Sequence, residues 1–320
     1  MAKSNEEIIS KFSEVTGIHR RRYADPAATA SLLGFRAAAD AIKAARIDKE
    51  ALDYIIVAHN FGDVGFNSNR VTMVPSLASK IKALLEIGNP DCVAYDLAFG
   101  CPGWIEGVIQ ANLYIKSGEA KRCLVVGTET LSRVIDPHDK DSMIFSDGAG
   151  AVVLEARAAE GGILAHKTQT YAVGHIDLLT MEGSNAACVN AKDDLYLKMN
   201  GRKVYEFAIT HVPPAIQAAL GKAGIPITEI KKIIIHQANE KMDHAIVQRL
   251  FKLYNIDAIP KDIMPMTIGE LGNSSVATIP TLIDLIVKGK FEHQTIAPGD
   301  KVVLASVGAG MNINAIVYQF

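Results

Sequence analysis

The sequence predicts an α/β protein built from two copies of one βαβ-type half-domain. Two observations carry this. Short apolar runs alternate with stretches of helical periodicity, as expected for strands buried on both faces between helical layers. Separated segments of the two halves also align on each other at one shared offset.

Residues 1–160 form the first half. It opens on MAKSNEEIISKF, which lacks the hydrophobic core of a signal peptide. AATASLLGFRAAADAIKAA is alanine-rich and favours a helix. DYIIVAH reads as a buried strand, and CVAYDLAF as the next, ending on the joint FGCPG. GWIEGVIQANLYIKSG sets Ile105, Val108, Ile109 and Leu113 at helical spacing and stops at Gly118. RCLVVGTE and GAGAVVLEA add two strands. Residues 161–200 connect the halves; TMEGSNAACVNAKDD in that stretch reads as loops or a cap. Residues 201–320 repeat the theme. AARIDKEALDYIIVAH lies on KAGIPITEIKKIIIHQ, with Ile47 on Ile225, Leu52 on Ile230 and Ile55 on Ile233, an offset of 178 residues. RCLVVG lies on DKVVLA, Leu124 on Val302, again at 178. ANLYIKSG lies on IDLIVKG at 171, so one half carries a compensating gap of seven residues.

Composition narrows the function. The 320 residues carry 35 acidic and 33 basic side chains, a net charge of −2, without the basic field of a nucleic-acid binder. No apolar run approaches the roughly 20 residues that span a bilayer. A cytoplasmic protein without membrane insertion is expected. Cys92, Cys101, Cys123 and Cys188 make no disulfide framework, and no CxxC or HExxH occurs, so no metal site is expected. The cluster HRRRY, His19 to Tyr23, reads as a solvated patch or as a site for phosphates or an acidic partner.

Four places could carry chemistry. Cys101 stands between a strand and a helix, with Pro102 suited to the first helical turn and Gly100 and Gly103 permitting a tight turn. It is either a small core filler or a nucleophile; the positive end of a helix favours the thiolate. Cys123, inside a strand, reads as inert core. His236 ends the strand KKIIIHQ, at the end of an α/β sheet where ligands bind; His59 ends its counterpart and reads as structural. By the 171 offset Cys101 falls on Gly272, beside Asn273, so cysteine and asparagine occupy near-equivalent helix starts. Asn273 could equally be a helix cap. SVGAGMN, Ser306 to Asn312, offers backbone N–H groups at Gly308–Gly310 to an oxyanion. It lacks the third glycine of a dinucleotide fingerprint.

Cys101, HQAN, GNSS and the terminal glycine-rich turn, in that order, resemble the β-ketoacyl-acyl-carrier-protein synthase III family of the thiolase-fold superfamily. TGIHRR, VPSLASKI, DLAFGCPGW, FSDGAGAVVLE and LGNSSVATIP extend the resemblance from residue 16 to the C-terminus. It implies a thiolase-like five-layer α/β/α/β/α sandwich and a homodimer. It implies that Cys101 is acylated from acyl-CoA, a substrate and not a resident cofactor, and that His236 and Asn273 complete the catalytic set. The N–H groups of Cys101 and Ala309 would hold the oxyanion. Malonyl-acyl carrier protein would lose CO2, and its enolate would attack the acyl-cysteine. A carboxylate in place of His236 or Asn273 would repel that enolate.

The departures from the family concern the primer. Its opening strand is not legible ahead of Asn5. Lys11 and Val15 stand where a tryptophan and an arginine often grip coenzyme A. Lys140 and Lys241, with Asn239, lie on the phosphate side, and Arg202 and Tyr205 on the adenine side, of the implied coenzyme A or carrier site. Val74 replaces a phenylalanine that reaches across the dimer and gates the acyl pocket, leaving room for a longer or branched primer. A condensing enzyme or acyltransferase of a specialised pathway is the alternative. A silent partner subunit and a cysteine protease fit the residues less well.

Overall fold

The computed structural model describes residues 4–158, 160–186 and 194–320. The first half holds α1 (Asn5–Thr16), α2 (Ala30–Ala45), β1 (Tyr54–His59), β2 (Asp63–Val64), β3 (Val71–Thr72), α3 (Leu77–Leu84), β4 (Val93–Ala98), α4 (Gly103–Ser117), β5 (Arg122–Thr130) and β6 (Asp147–Glu155). Then follow β7 (Gly162–Thr170), β8 (Leu179–Glu182), β9 (Tyr196–Met199), α5 (Gly201–Ala223), β10 (Ile230–Ile235), α6 (Glu240–Lys252), α7 (Ile268–Leu271), α8 (Thr278–Val287), β11 (Lys301–Gly308) and β12 (Asn312–Gln319).

Two four-stranded sheets form, ordered β4-β1-β5-β6 and β10-β11-β12-β7. In the first, β1 runs parallel to β4 and β5 while β6 is antiparallel. In the second, β10 and β11 are parallel and β12 is antiparallel to both its neighbours. Alternation along each strand sorts the core. Ile55, Val57, Leu124 and Val126 face α2 and α3. Ile56, Ala58 and Val125 face the opposite way, toward α4 and α8, and meet Ile234, Val302 and Leu304 of the second sheet there. Ile233, Ile235 and Val303 point outward to α5 and α6. The layers are therefore α2/α3, sheet, α4/α8, sheet, α5/α6. The apolar runs carry no polar alternation because every one of these strands is covered on both faces.

The shared offsets are structural. Ile55 on Ile233 lays β1 on β10, and Leu124 on Val302 lays β5 on β11. Gly118 and Gly289, equivalent in the repeat, each sit just past a helix of the central layer with φ of +82° and +63°.

The stretch 161–200, expected to connect the halves and to form a cap, is not loop throughout. Its first residues form β7, which pairs along its length with β12 and closes the second sheet. Its sequence, GILAHKTQT, has too few apolar residues to show as a buried strand. Next to β6, the counterpart of β12, no strand stands among the described residues. A groove of 340 Å3 runs there, between Ala37, Ala41 and Ala45 of α2 and Pro280 and Thr281 of α8. The β8–β9 hairpin forms part of the cap; Cys188 lies outside the described residues. No helix is long and apolar enough to cross a membrane among the described residues.

Candidate active site

Parallel strands aim their carboxyl ends at one region. There β1 ends at His59, β4 leads into Cys101, β10 leads into His236 and β11 ends at Gly308. Gly100 takes a φ of +67°, which glycine adopts without penalty, and a Cβ on it would lie 2.8 Å from Ala309 N. The chain then turns through Cys101 and Pro102 into α4. From the second half, Gly308 approaches so closely that a Cβ would lie 2.5 Å from Cys101 N. The two turns thus touch backbone to backbone, bringing the N–H groups of Cys101 and Ala309 to one junction. Asn312 braces it by donating its amide to Ala309 O at 2.9 Å, and Thr170 donates to Asn312 Oδ1 at 2.6 Å.

Burial pushes the Cys101 thiol up to about 11, against a hydrogen bond from Ser275 that pulls it down and the Glu129 charge that adds to the rise. A helix N-terminus is worth at most about 2 kcal/mol to a charge beside it, roughly 1.5 pK units. Burial thus works against the helix dipole at this thiol. Cys123 is fully buried core, as its strand position predicts.

His236 extends the strand pairing by donating its N–H to Ala305 O at 2.8 Å. Its ring is buried, which lowers its pKa to about 4 and keeps it neutral. Gln237 locks the next turn, its amide donating to Pro265 O at 2.8 Å while its Oε1 accepts the Thr267 N–H at 2.9 Å. Asn273 donates its N–H to Ile144 O, and its O accepts the Ser146 N–H at 2.8 Å. Its Oδ1 accepts the Ser275 N–H at 2.8 Å, leaving the Nδ2 hydrogens to donate. That bond closes a turn two residues on and caps no helix, and the side chain keeps its donor end. His236 follows β10 directly, beside β11. Among the described residues no hydrogen bond joins His236 directly to Cys101 or Asn273. His59, read as structural, is buried with Nε2 3.0 Å from Asp96 Oδ2.

A cavity of 740 Å3 brings together Lys140, Arg202, Tyr205 and Asn239 with Lys11 and Val15 of α1. Lys140 and Arg202 hold exposed ion pairs to Asp141 at 2.6 Å and Glu206 at 3.0 Å. Asn239 also caps α6, accepting the Met242 N–H at 3.1 Å. Lys241 is the exception: it lies outside the residues lining this cavity and faces Glu14 of α1 instead. Val74 is 86% exposed and lines none of these cavities. In the cluster at His19–Tyr23, Arg20 pairs with Glu270 at 3.2 Å and Arg21 donates to Met143 O at 2.5 Å. Both bonds hold the chain in place.

Sequence reasoning missed three neighbours of Cys101. Asn60 donates to both Glu129 and Ser275 Oγ, and the Glu129 charge acts on the thiol. The polar ending of RCLVVGTET and the second serine of GNSS were the signals, but only folding puts them side by side.

A two-sheet duplicated fold with a cysteine aimed from a helix start into the junction of its halves defines a class: thiolase-fold enzymes that transfer acyl groups through a thiol. The comparisons narrow it. Residues 95–172 match the family described as 3-oxoacyl-[acyl-carrier-protein] synthase III, and residues 220–320 match its C-terminal part. The β-ketoacyl-[acyl-carrier-protein] synthase III of Sphingopyxis alaskensis is 33% identical over 96% of this chain and 88% of its own length. That of Vibrio vulnificus is 34% identical over 99% of this chain and 91% of its own. The crystal structure of the 3-oxoacyl-[acyl-carrier-protein] synthase III from Aquifex aeolicus superposes with a TM-score of 0.83, at 29% identity, covering 99% of this chain and 92% of that one. The chain belongs to the 3-oxoacyl-[acyl-carrier-protein] synthase III family and is an acyltransferase.

Proposed function

We propose that this enzyme starts fatty-acid synthesis by taking an acyl group from acyl-CoA onto Cys101 and condensing it with malonyl-acyl carrier protein. The observation that carries this reading is the contact between the Cys101 turn and the Gly308–Gly310 turn. It sets a nucleophile beside two backbone donors, Cys101 N–H and Ala309 N–H, that can hold a tetrahedral oxyanion. After acylation, malonyl loses CO2 and its thioester oxygen takes the charge. The neutral His236 and the Nδ2 of Asn273 donate to that enolate oxygen. The enolate carbon attacks the acyl-cysteine, a C–C bond forms, the Cys101 sulfur leaves, and a 3-oxoacyl product results. Escape of CO2 drives the condensation forward.

The cavity beside α1 suits a coenzyme A or carrier arm, with Lys140 and Arg202 for phosphates and Tyr205 for a planar base. A homodimer fits the open edge of β4 and the exposed apolar Phe66, Met73 and Val74 nearby in the chain. In that dimer Val74 would face the partner's acyl pocket.

Intact mass spectrometry tests the reading. Incubation with acetyl-CoA adds one acetyl group, and Cys101→Ala abolishes the gain. His236→Ala and Asn273→Ala still acylate but lose condensation by about 100- to 1,000-fold each, the usual effect of deleting an oxyanion donor. A mass gain that survives Cys101→Ala would refute the assignment.

A further inference from the structure

A side-chain amide is a donor at one end and an acceptor at the other, so Asn273 serves an enolate only while its Nδ2 end is aimed at the substrate. Its backbone is fixed from the first half of the chain, through Ile144 O and the Ser146 N–H. Its side chain is fixed at Oδ1, which accepts the Ser275 N–H at 2.8 Å. The placing of Ser275 therefore decides how the Asn273 amide is turned and which end of it stays free.

Ser275 is itself held from outside. Its φ of +54° lies in the left-handed region, uncommon outside glycine, and such a residue persists where its surroundings over-determine it. Its Oγ accepts the side-chain amide of Asn60 at 2.8 Å, from 215 positions away in the chain. Asn60, the first residue past β1, is anchored in turn by Glu129, near the end of β5. The backbone N–H of Asn60 donates to Glu129 Oε1 at 2.8 Å, and its side-chain amide donates to the same oxygen. Donors and acceptors balance here: the two hydrogens of Asn60 Nδ2 meet two acceptors, Glu129 Oε1 and Ser275 Oγ. Glu129 is 1% and Ser275 2% exposed, so water has little access to compete for these bonds. Burial pushes the Glu129 carboxyl up to about 7, and a carboxyl oxygen accepts from Asn60 in either protonation state.

We propose that Asn60 is a positioning residue for Asn273. Anchored by Glu129, it holds the Ser275 turn in place, and Ser275 turns the Asn273 amide so that Nδ2 faces the malonyl thioester. The brace crosses the molecule: Asn60 and Glu129 belong to the first half, Ser275 and Asn273 to the second. Among the described residues no hydrogen bond joins Asn60 to Cys101 or His236, so its effect falls on the step that uses Asn273. Glu129 also puts its charge on the thiol, which makes Asn60 the residue to vary. This inference rests on the enolate role proposed for Asn273 above.

The test separates the two half-reactions in the intact protein. Acylation is followed by intact mass with acetyl-CoA, and decarboxylation by labelled CO2 released from malonyl-acyl carrier protein. Asn60→Ala acylates at the wild-type rate. Its kcat for decarboxylation falls by about 10- to 100-fold with KM unchanged, as expected when a reacting group is misplaced by about 1 Å. Beside Asn273→Ala the same change adds nothing, because no amide is left to aim. Ser275→Gly suits a φ of +54°, keeps the N–H to Asn273 and deletes the oxygen that Asn60 holds. It shows the same loss of decarboxylation, and it decides alone should circular dichroism show Asn60→Ala unfolded. Wild-type decarboxylation in these variants overturns the assignment. So does a loss that persists in full beside Asn273→Ala, or one matched by an equal loss of acylation, since general loosening of the site produces both. Asn273→Ala that decarboxylates normally would refute the enolate role itself. A defective Asn273→Ala beside a normal Asn60→Ala refutes the positioning alone.

Discussion

At Gly308 a hydrogen in place of a methyl group keeps two backbone turns in contact. A Cβ there would lie 2.5 Å from Cys101 N and 2.8 Å from Cys101 Cβ, closer than such contacts occur, and none of these atoms is the end of a flexible side chain. Gly308→Ala must therefore push the two turns apart. The expected result is acylation slower by about 100-fold or more, since one misplaced oxyanion donor costs that much; rapid mixing with acetyl-CoA measures it. Wild-type acylation rates in Gly308→Ala would contradict the backbone oxyanion site. Cys101 and Cys123 make the complementary point about side chains. One follows a strand and the other lies inside one, and burial raises both thiols, to about 11 and about 12. They differ in that Cys101 meets the Gly308 turn, whereas Cys123 sits inside the central apolar layer.

Among the elements, β8 and β9 show how a hairpin of mixed composition is held over a site. Lys198 on β9 is 9% exposed and pairs with Asp136 and, at 3.3 Å, with Asp139. Burial pushes the Asp136 carboxyl up, but Lys198, the Asn185 and His138 N–H groups and the Ser184 hydroxyl outweigh it and hold it well below the usual carboxylate range. Lys198→Met strands that charge, and breaking such a pair costs about 3–5 kcal/mol. Urea unfolding at pH 7 would show the loss. A depressed folded pKa stabilises above the unfolded value near 4, and that contribution is lost as pH falls below it. The gap between wild type and variant should therefore close in acid; a gap that persists unchanged there would show that Lys198 acts through packing. Neither the pair nor β7 was legible in the sequence. Asp136 and Lys198 are distant in the chain, and GILAHKTQT shows no clean period, because β7 takes its place from the ladder it shares with β12.

On the scale of the whole molecule, duplication does most of the positioning. Two copies of one half stack α4 and α8 between their sheets, so the helix starts that follow Cys101 and Asn273 come from opposite halves into one central layer. The first sheet leaves β4 at an open edge, and light scattering should give twice the 34.4 kDa chain mass. A monomer at micromolar concentration would contradict the dimer and the partner-facing placement of Val74. The sequence by itself determined the α/β class and the duplication, and it singled out Cys101, His236 and Asn273 as the candidate set. Strands buried on both faces must be apolar throughout, and glycine is forced where backbones touch, so both leave marks that read locally. Tertiary structure alone decided that burial opposes the helix dipole at Cys101, that Lys241 stands outside the cavity of Lys140 and Arg202, and that Asn60 joins Glu129 to Ser275. Those facts depend on which groups meet across long stretches of chain and on how much water they exclude. Neither is encoded in the spacing of residues along one strand or helix.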